Sequence, residues 1–181
     1  MKSESPSPLG ALTPAMLVLD VDGVLTDNSL WLSESGGESN CFHVPDGAGI
    51  RWLMESGIEV AWISGRVSLA TKRRAKQLGV KEVHMGISDK ATCLLQLLER
   101  SGISACDTVY VGDDLIDLPP MALVGVGVAV ADAHREVRAS ADLVTTARGG
   151  RGAVREVCEW ILMAHGAWSE RVDREMTGDT P

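Results

Sequence analysis

Short runs of aliphatic and β-branched residues alternate along this chain with longer stretches in which apolar residues recur at helical spacing. That alternation predicts an α/β fold, a doubly wound and mostly parallel sheet with helices on both faces, because such strands bury both sides while each helix buries one stripe. The predicted strands are Met16 to Asp20, Ile58 to Ile63, Glu82 to Met85, Thr108 to Val111, Val126 to Val130 and Leu143 to Val144. In one predicted helix Ala91, Leu94, Leu95 and Leu98 fall at i, i+3, i+4 and i+7, and the stripe stops at Gly102, a residue suited to the left-handed position after a helix. Asp46 is placed to cap a helix that carries Ile50, Leu53 and Met54 and ends at Gly57. A further helix runs from about Val67 to Leu78, and a last one from Ala153 to about Ala164 turns Val154, Val157, Ile161 and Leu162 inward.

One stretch breaks this rhythm. Asn28 to Val44 holds Leu30, Trp31 and Leu32, then Ser-Glu-Ser-Gly-Gly, then Cys41, Phe42 and Val44, which predicts a β-hairpin flap directly after the first strand. Residues 1–14, rich in Ser, Pro and Gly, read as a flexible leader and residues 167–181 as a flexible polar tail, leaving one domain over 15–166. No linker long enough to divide that domain and no internal repeat is visible.

Composition narrows the function classes. The chain has 181 residues, 45% hydrophobic and 23% charged, with 17 Lys and Arg against 25 Asp and Glu for a net charge of −8. An acidic surface argues against binding nucleic acid, which needs clustered cations to neutralise phosphates. The longest apolar run, Met121 to Ala131, is 11 residues with two glycines, short of the roughly 18 expected of a membrane helix. Cys41, Cys93, Cys106 and Cys158 are scattered without a CxxC pair, which disfavours zinc ribbons and disulfide scaffolds and suits a reducing cytoplasm.

In an open parallel sheet ligands bind beyond the carboxyl ends of the strands. There the first strand runs into Asp20-Val21-Asp22-Gly23-Val24-Leu25-Thr26-Asp27, the second into Ser64-Gly65-Arg66, and the fourth into Gly112-Asp113-Asp114-Leu115-Ile116-Asp117, while Asp89-Lys90 opens the Leu-rich helix. Carboxylates gathered about 5 Å apart repel by roughly 3 kcal/mol at an effective dielectric near 20, so such a cluster needs a cation. Oxygen ligands without His or Cys favour a hard ion such as Mg²⁺. With Ser64 and Lys90 beside it, the cluster suits a phosphoryl group, Asp20 being placed to attack phosphorus and Asp22 to protonate the departing alkoxide.

These four segments, in this order, resemble the haloacid dehalogenase superfamily of phosphohydrolases over about residues 15 to 165. The resemblance implies that Asp20 is nucleophile and Mg²⁺ ligand, and that Asp22 is the acid/base with its backbone carbonyl on the metal. Ser64 and Lys90 become phosphate binders, Asp113 a metal ligand, and Asp114 and Asp117 supporting carboxylates. Asp20 and Ser64 are 44 positions apart and Ser64 and Lys90 only 26, so no cap domain fits, and a small substrate would need a neighbouring subunit to cover it. DVDGVLTD at Asp20 to Asp27, the Phe42 to Ile50 segment, ISGR at Ile63 to Arg66 and GGRGAVRE at Gly149 to Glu156 are similar to the 3-deoxy-D-manno-octulosonate 8-phosphate (Kdo 8-phosphate) phosphatase family. That similarity implies a phosphorylated sugar acid substrate, a step toward lipopolysaccharide, and a homotetramer with active sites at subunit interfaces. In it the hairpins pack together and the glycine-rich segment reaches toward a neighbour's site. Asn28 stands where the family often has Gly, and Pro45 where it often has a charged residue.

Several residues keep two readings at this point. Gly65 and Arg66 are candidates for the substrate or for a local turn, Asp46 for the substrate or for a helix cap, and Gly149 to Gly152 with Arg148 and Arg151 for an anion or for a plain helix lead-in. Trp31 and Trp52 read as packing or interface residues. A nine-carbon keto acid 9-phosphate is the alternative substrate. A phospho-accepting receiver shares the chemistry but places its acidic pair first and its phosphorylated Asp later, the reverse of this order. A non-catalytic assembly module is the third class, though no expected catalytic position is missing.

Overall fold

The structure, a computed structural model, describes residues 7–178. The chain enters through β1 (Met16–Leu19), turns out into a hairpin of β2 (Trp31–Leu32) and β3 (Glu38–Ser39), and returns through α1 (Val44–Glu55) to β4 (Glu59–Ser64). There follow α2 (Leu69–Leu78), β5 (Glu82–Met85), α3 (Lys90–Ser101), β6 (Thr108–Gly112), the one-turn α4 (Leu118–Met121), β7 (Val126–Ala129), α5 (Arg135–Ser140), β8 (Leu143–Val144), α6 (Ala153–Ala164) and α7 (Trp168–Thr177). Six strands form one parallel sheet in the order β5-β4-β1-β6-β7-β8, with Leu17 of β1 level with Val60 on one side and Val109 on the other. Every residue of β1 and β6 is buried because helices cover both faces: α1 with α6 and α2 on one, α3 with α4 on the other.

From β1 the chain winds outward one way to β5, then crosses back and winds the other way from β6 to β8. Connections diverge at β1 and β6, so a crevice opens at their carboxyl ends, where the acidic motifs fall. A hairpin and one helix are all that lie between β1 and β4, and one helix between β4 and β5, so the fold carries no cap domain.

Three expectations are corrected. The stripe of α3 runs through Leu94, Leu97 and Leu98, whereas Leu95 is 50% exposed, because i+3 and i+4 counted from Leu94 define the covered face. The leader is docked from residue 7: the Ser7 hydroxyl donates to the Trp160 carbonyl at 2.8 Å and Leu9 joins the core, while residues 1–6 lie outside the described residues. The polar tail is the helix α7 up to Thr177, with residues 179–181 outside the description. It is held by cations on rings: the Arg171 guanidinium lies 4.8 Å from the Trp52 ring centre, Arg155 lies 3.8 Å from the same ring, and Trp52 and Trp168 are 6.1 Å apart. Arginine stems and indole rings supply a buried face that no aliphatic period announces. Among the described residues no helix is long and apolar enough to cross a membrane.

Candidate active site

Asp20 follows the last residue of β1 and Asp113 the last of β6; Leu19 is level with Val111, so Asp20 stands level with Gly112 and Asp113 comes one position beyond it, at the same end of neighbouring strands. Asp20, Asp113 and Asp117 each offer a carboxylate oxygen within 4.8 Å of the others, and all three are buried. Burial first, then the charge of Asp117, pushes the Asp20 carboxyl up to about 7 despite the opposing pull of Lys90. Burial and the charge of Asp20, with Asp117 behind it, push Asp113 up to about 8. A protein that holds two carboxyls against their charge in this way has built a cation site, and the donor set is hard oxygen throughout.

Lys90 opens α3 and reaches under this cluster. Its ammonium lies 2.6 Å from Asp20 Oδ1 and 2.8 Å from Asp117 Oδ1, with the side chain 1% exposed. Burial works to lower its pKa, but the two carboxylates outweigh that and hold it above the ordinary lysine value, so it stays a cation. Asp117 is fully spent on structure. Besides Lys90 it accepts from the Tyr110 hydroxyl at 2.8 Å, from the Asp113 backbone N–H at 3.1 Å and from that of Asp114 at 3.3 Å. It therefore shapes the β6 loop and aims Lys90, in keeping with a supporting role, and leaves Asp20 and Asp113 as the side chains free to hold a cation. Asp114 caps the turn after β6, accepting from the Leu115 N–H at 2.7 Å.

The loop after β1 is shaped around the same point. Gly23 has φ +89°, and a Cβ there would stand 2.0 Å from Asp113 Oδ2, so only glycine lets the backbone pass that carboxylate. Asp22 is half-buried, with Oδ2 3.5 Å from the Ser64 hydroxyl and Oδ1 accepting from Arg66 Nη1 at 3.2 Å. Ser64 ends β4 almost fully buried, its oxygen accepting from the Arg66 N–H at 3.1 Å; Gly65 lies exposed at the rim between them. The sheet thus brings together Asp20, Asp22, Ser64, Gly65, Arg66, Lys90, Asp113, Asp114 and Asp117. Asn28, where glycine is common in the resembling family, has φ +63°, a left-handed turn that glycine adopts without strain and asparagine tolerates.

Asp46 does not join them. It is 1% exposed, and α1 begins earlier, at Val44, with Asp46 in its first turn. Its carboxylate accepts from the Gly152 N–H at 3.3 Å and the Arg155 N–H at 2.8 Å, so it caps α6 across the fold instead of its own helix. Sequence adjacency suggested the nearer helix; packing of α1 on α6 supplied a different one. The Gly149 to Gly152 loop is likewise spent within the chain. Gly149 N–H donates to Asp132 at 2.9 Å, Gly150 N–H to the Val24 carbonyl at 2.8 Å, and Arg151 pairs with Asp27 at 2.8 Å. A Cβ on Gly149 would stand 1.6 Å from the Gly23 carbonyl oxygen, so this loop backs the loop after β1 of its own chain. Glu38, Tyr110 and Thr26 were not singled out from sequence; Thr26, at the turn, sits 3.4 Å from the Gly23 nitrogen as its acceptor.

Comparison with known proteins decides the family. The profile described as haloacid dehalogenase-like hydrolase matches residues 83–156. The chain is 47% identical over 155 residues to the 3-deoxy-D-manno-octulosonate 8-phosphate phosphatase KdsC of Escherichia coli K12, covering 86% of this chain and 82% of that protein. It belongs to that phosphatase family. A solved 3-deoxy-D-manno-octulosonate 8-phosphate phosphatase from Moraxella catarrhalis, in complex with magnesium, phosphate and KDO, superposes with a TM-score of 0.88 at 40% identity, covering 90% of this chain and 94% of that one. A cobalt-bound deoxy-D-mannose-octulosonate 8-phosphate phosphatase from Haemophilus influenzae gives 0.84 at 42% identity, covering 87% and 92%. In this chain Asp20, Asp22, Ser64, Lys90 and Asp113 share one crevice.

Proposed function

We propose that this protein hydrolyses 3-deoxy-D-manno-octulosonate 8-phosphate to Kdo and phosphate through a phosphorylated Asp20. The observation that carries the reading is the buried Asp20, bonded to Lys90 and packed beside Asp113 at the switch point of the sheet. Asp20 and Asp113, with the Asp22 backbone carbonyl, are the groups that would hold Mg²⁺. When bound, the ion supplies positive charge to the phosphate oxygens and keeps both carboxyls ionised near neutral pH. Asp20 attacks phosphorus, forming the Asp–O–P bond as the bond to the sugar oxygen breaks, and the Asp22 carboxyl gives its proton to that leaving oxygen. Water then attacks the phosphoryl group, Asp22 takes its proton, and Asp20 departs as carboxylate. Lys90 and the Ser64 hydroxyl hold the transferring oxygens in place.

The crevice opens at a rim where Trp31 and Leu32 of the hairpin are 70% and 73% exposed, with Val44, Val67 and Leu69 also exposed in segments that follow strand ends on that side. These exposed apolar side chains support a homotetramer in which neighbouring hairpins pack together and close each site; the scattered cysteines fit a cytoplasmic enzyme, and a phosphorylated sugar acid substrate fits a step toward lipopolysaccharide. The test is phosphate release with Mg²⁺ from Kdo 8-phosphate, nine-carbon keto acid 9-phosphates and hexose phosphates, ranked by kcat/KM. Kdo 8-phosphate is expected to lead, and the Asp20→Asn variant to lose at least about 10³-fold in kcat. Hexose phosphates leading by a wide margin would overturn the assignment.

A further inference from the structure

Residues 28–39 are all exposed, and β2 and β3 are two residues each, too little to stand alone against water. An antiparallel bridge between Thr26 and Phe42 closes the stem of the hairpin, and beyond it Glu38 of β3 is hydrogen-bonded to the sheet-bearing body through Arg66. Arg66 Nη2 donates to Glu38 Oε2 at 2.8 Å, while Arg66 Nη1 donates to Asp22 Oδ1 at 3.2 Å. The Arg66 backbone is pinned, its N–H on the Ser64 hydroxyl at 3.1 Å and its carbonyl accepting from the Gly86 N–H at 3.2 Å. A fixed base with a rigid planar fork therefore joins a carboxylate of the catalytic machinery to a carboxylate of the flap.

We propose that Glu38 is a positioning residue that latches the hairpin to the site through Arg66, an inference that rests on the phosphatase reading above. The two bonds of the fork differ: the one to Glu38 is short, the one to Asp22 long. Glu38 is the lasting partner, and Asp22 the exchangeable one. In the substrate-free site Arg66 Nη1 thus occupies one oxygen of Asp22. A substrate that carries its own carboxylate takes the place of Asp22 on Nη1 and releases it for proton transfer, while Glu38 keeps the guanidinium at the rim and the hairpin over it. The latch thus reads an acidic substrate and frees the acid in the same exchange.

Two measurements on the full chain test this. In substrate-free protein, hydrogen exchange of the amides of residues 30–39 is expected to speed at least about threefold in Glu38→Ala and in Arg66→Ala, with the double variant no faster than either. With the sugar acid phosphate, Glu38→Ala is expected to raise KM by about fivefold or more with kcat within twofold. It is expected to leave kcat/KM for p-nitrophenyl phosphate, which has no carboxylate and a leaving group that needs no proton, within twofold. Glu38→Asp, one methylene short, falls between, and Glu38→Ala adds nothing in the Arg66→Ala background. Unchanged exchange, or additive losses in the double variant, overturns the latch. If wild-type protein prefers a non-acidic sugar phosphate, the substrate reading fails while the exchange measurement still decides whether Glu38 holds the hairpin.

Discussion

The crevice floor and the hairpin above it are built on opposite principles, although fewer than twenty residues of chain separate Asp20 from Glu38. On the floor Lys90, Asp117 and Tyr110 are sealed from water and each polar atom is matched by another, so geometry is set by burial and the hydrogen bonds are strong. Around the hairpin, side chains stand in solvent and hold on through an exposed ion pair, an interaction of small worth singly. Chemistry on phosphorus needs the first condition, since the nucleophile and its counter-cation must not reorganise. Admission of substrate needs the second.

The comparison breaks most severely at Asp117. Its Oδ1 takes two donors and its Oδ2 two more, so in Asp117→Asn one pair of donors must face an NH₂ group whichever way the amide turns. Loss of one member of this buried pair is expected to destabilise the fold by about 3 kcal/mol and, with Lys90 no longer aimed, to lower kcat at least about 100-fold. Urea unfolding and initial-rate measurements on the purified variant check both; a kcat near wild type would show that Asp117 does not position Lys90.

A middle-sized effect separates the floor from the flap by pH. Asp20 and Asp113 have folded pKa values near 7 and 8, above the ordinary 3.8. The native state then binds more protons than the unfolded chain between about pH 4 and 8, and stability contributed by these groups falls as pH rises through that window. Added Mg²⁺ competes with those protons. It is expected to raise the unfolding temperature by several degrees at pH 8 and little at pH 5, which thermal scans with and without the ion would show. An equal rise at both values would contradict a shared cation between these carboxyls.

The smallest expected effect on stability comes at the flap. Trp31→Ser removes an exposed side chain and is expected to change unfolding free energy by no more than about 0.5 kcal/mol. By sedimentation it is expected to weaken the proposed tetramer, because that indole belongs to the surface proposed to meet a neighbour. An unchanged assembly would remove Trp31 from the interface.

The strand ends were legible because they rest on local signals: a β-branched run that terminates in Asp-x-Asp-Gly or Gly-Asp-Asp can be read without a partner. Gly102 and Gly79 stopped their helices as expected for residues in left-handed turns. Asp46 was not legible, because the helix it caps begins more than a hundred residues further on. Nor was α7, whose covered face is made of arginine on indole and has no aliphatic period. Glu38 gave no signal at all, being one of two acids in the polar stretch from Ser33 to Asn40.

The sequence by itself determined which residues offer carboxylate, hydroxyl and ammonium groups suited to a phosphoryl group, and the strand-helix order that sends them to one rim, because residue chemistry and short-range periodicity are properties of neighbours along the chain. Only the tertiary structure decided how each carboxylate is used. Asp20 and Asp113 remain open toward a cation, Asp117 is consumed beneath Lys90, and Asp46 holds another helix. The reason is that a carboxylate's role follows from the donors that reach it and the water it loses, and both are set by segments far away in sequence.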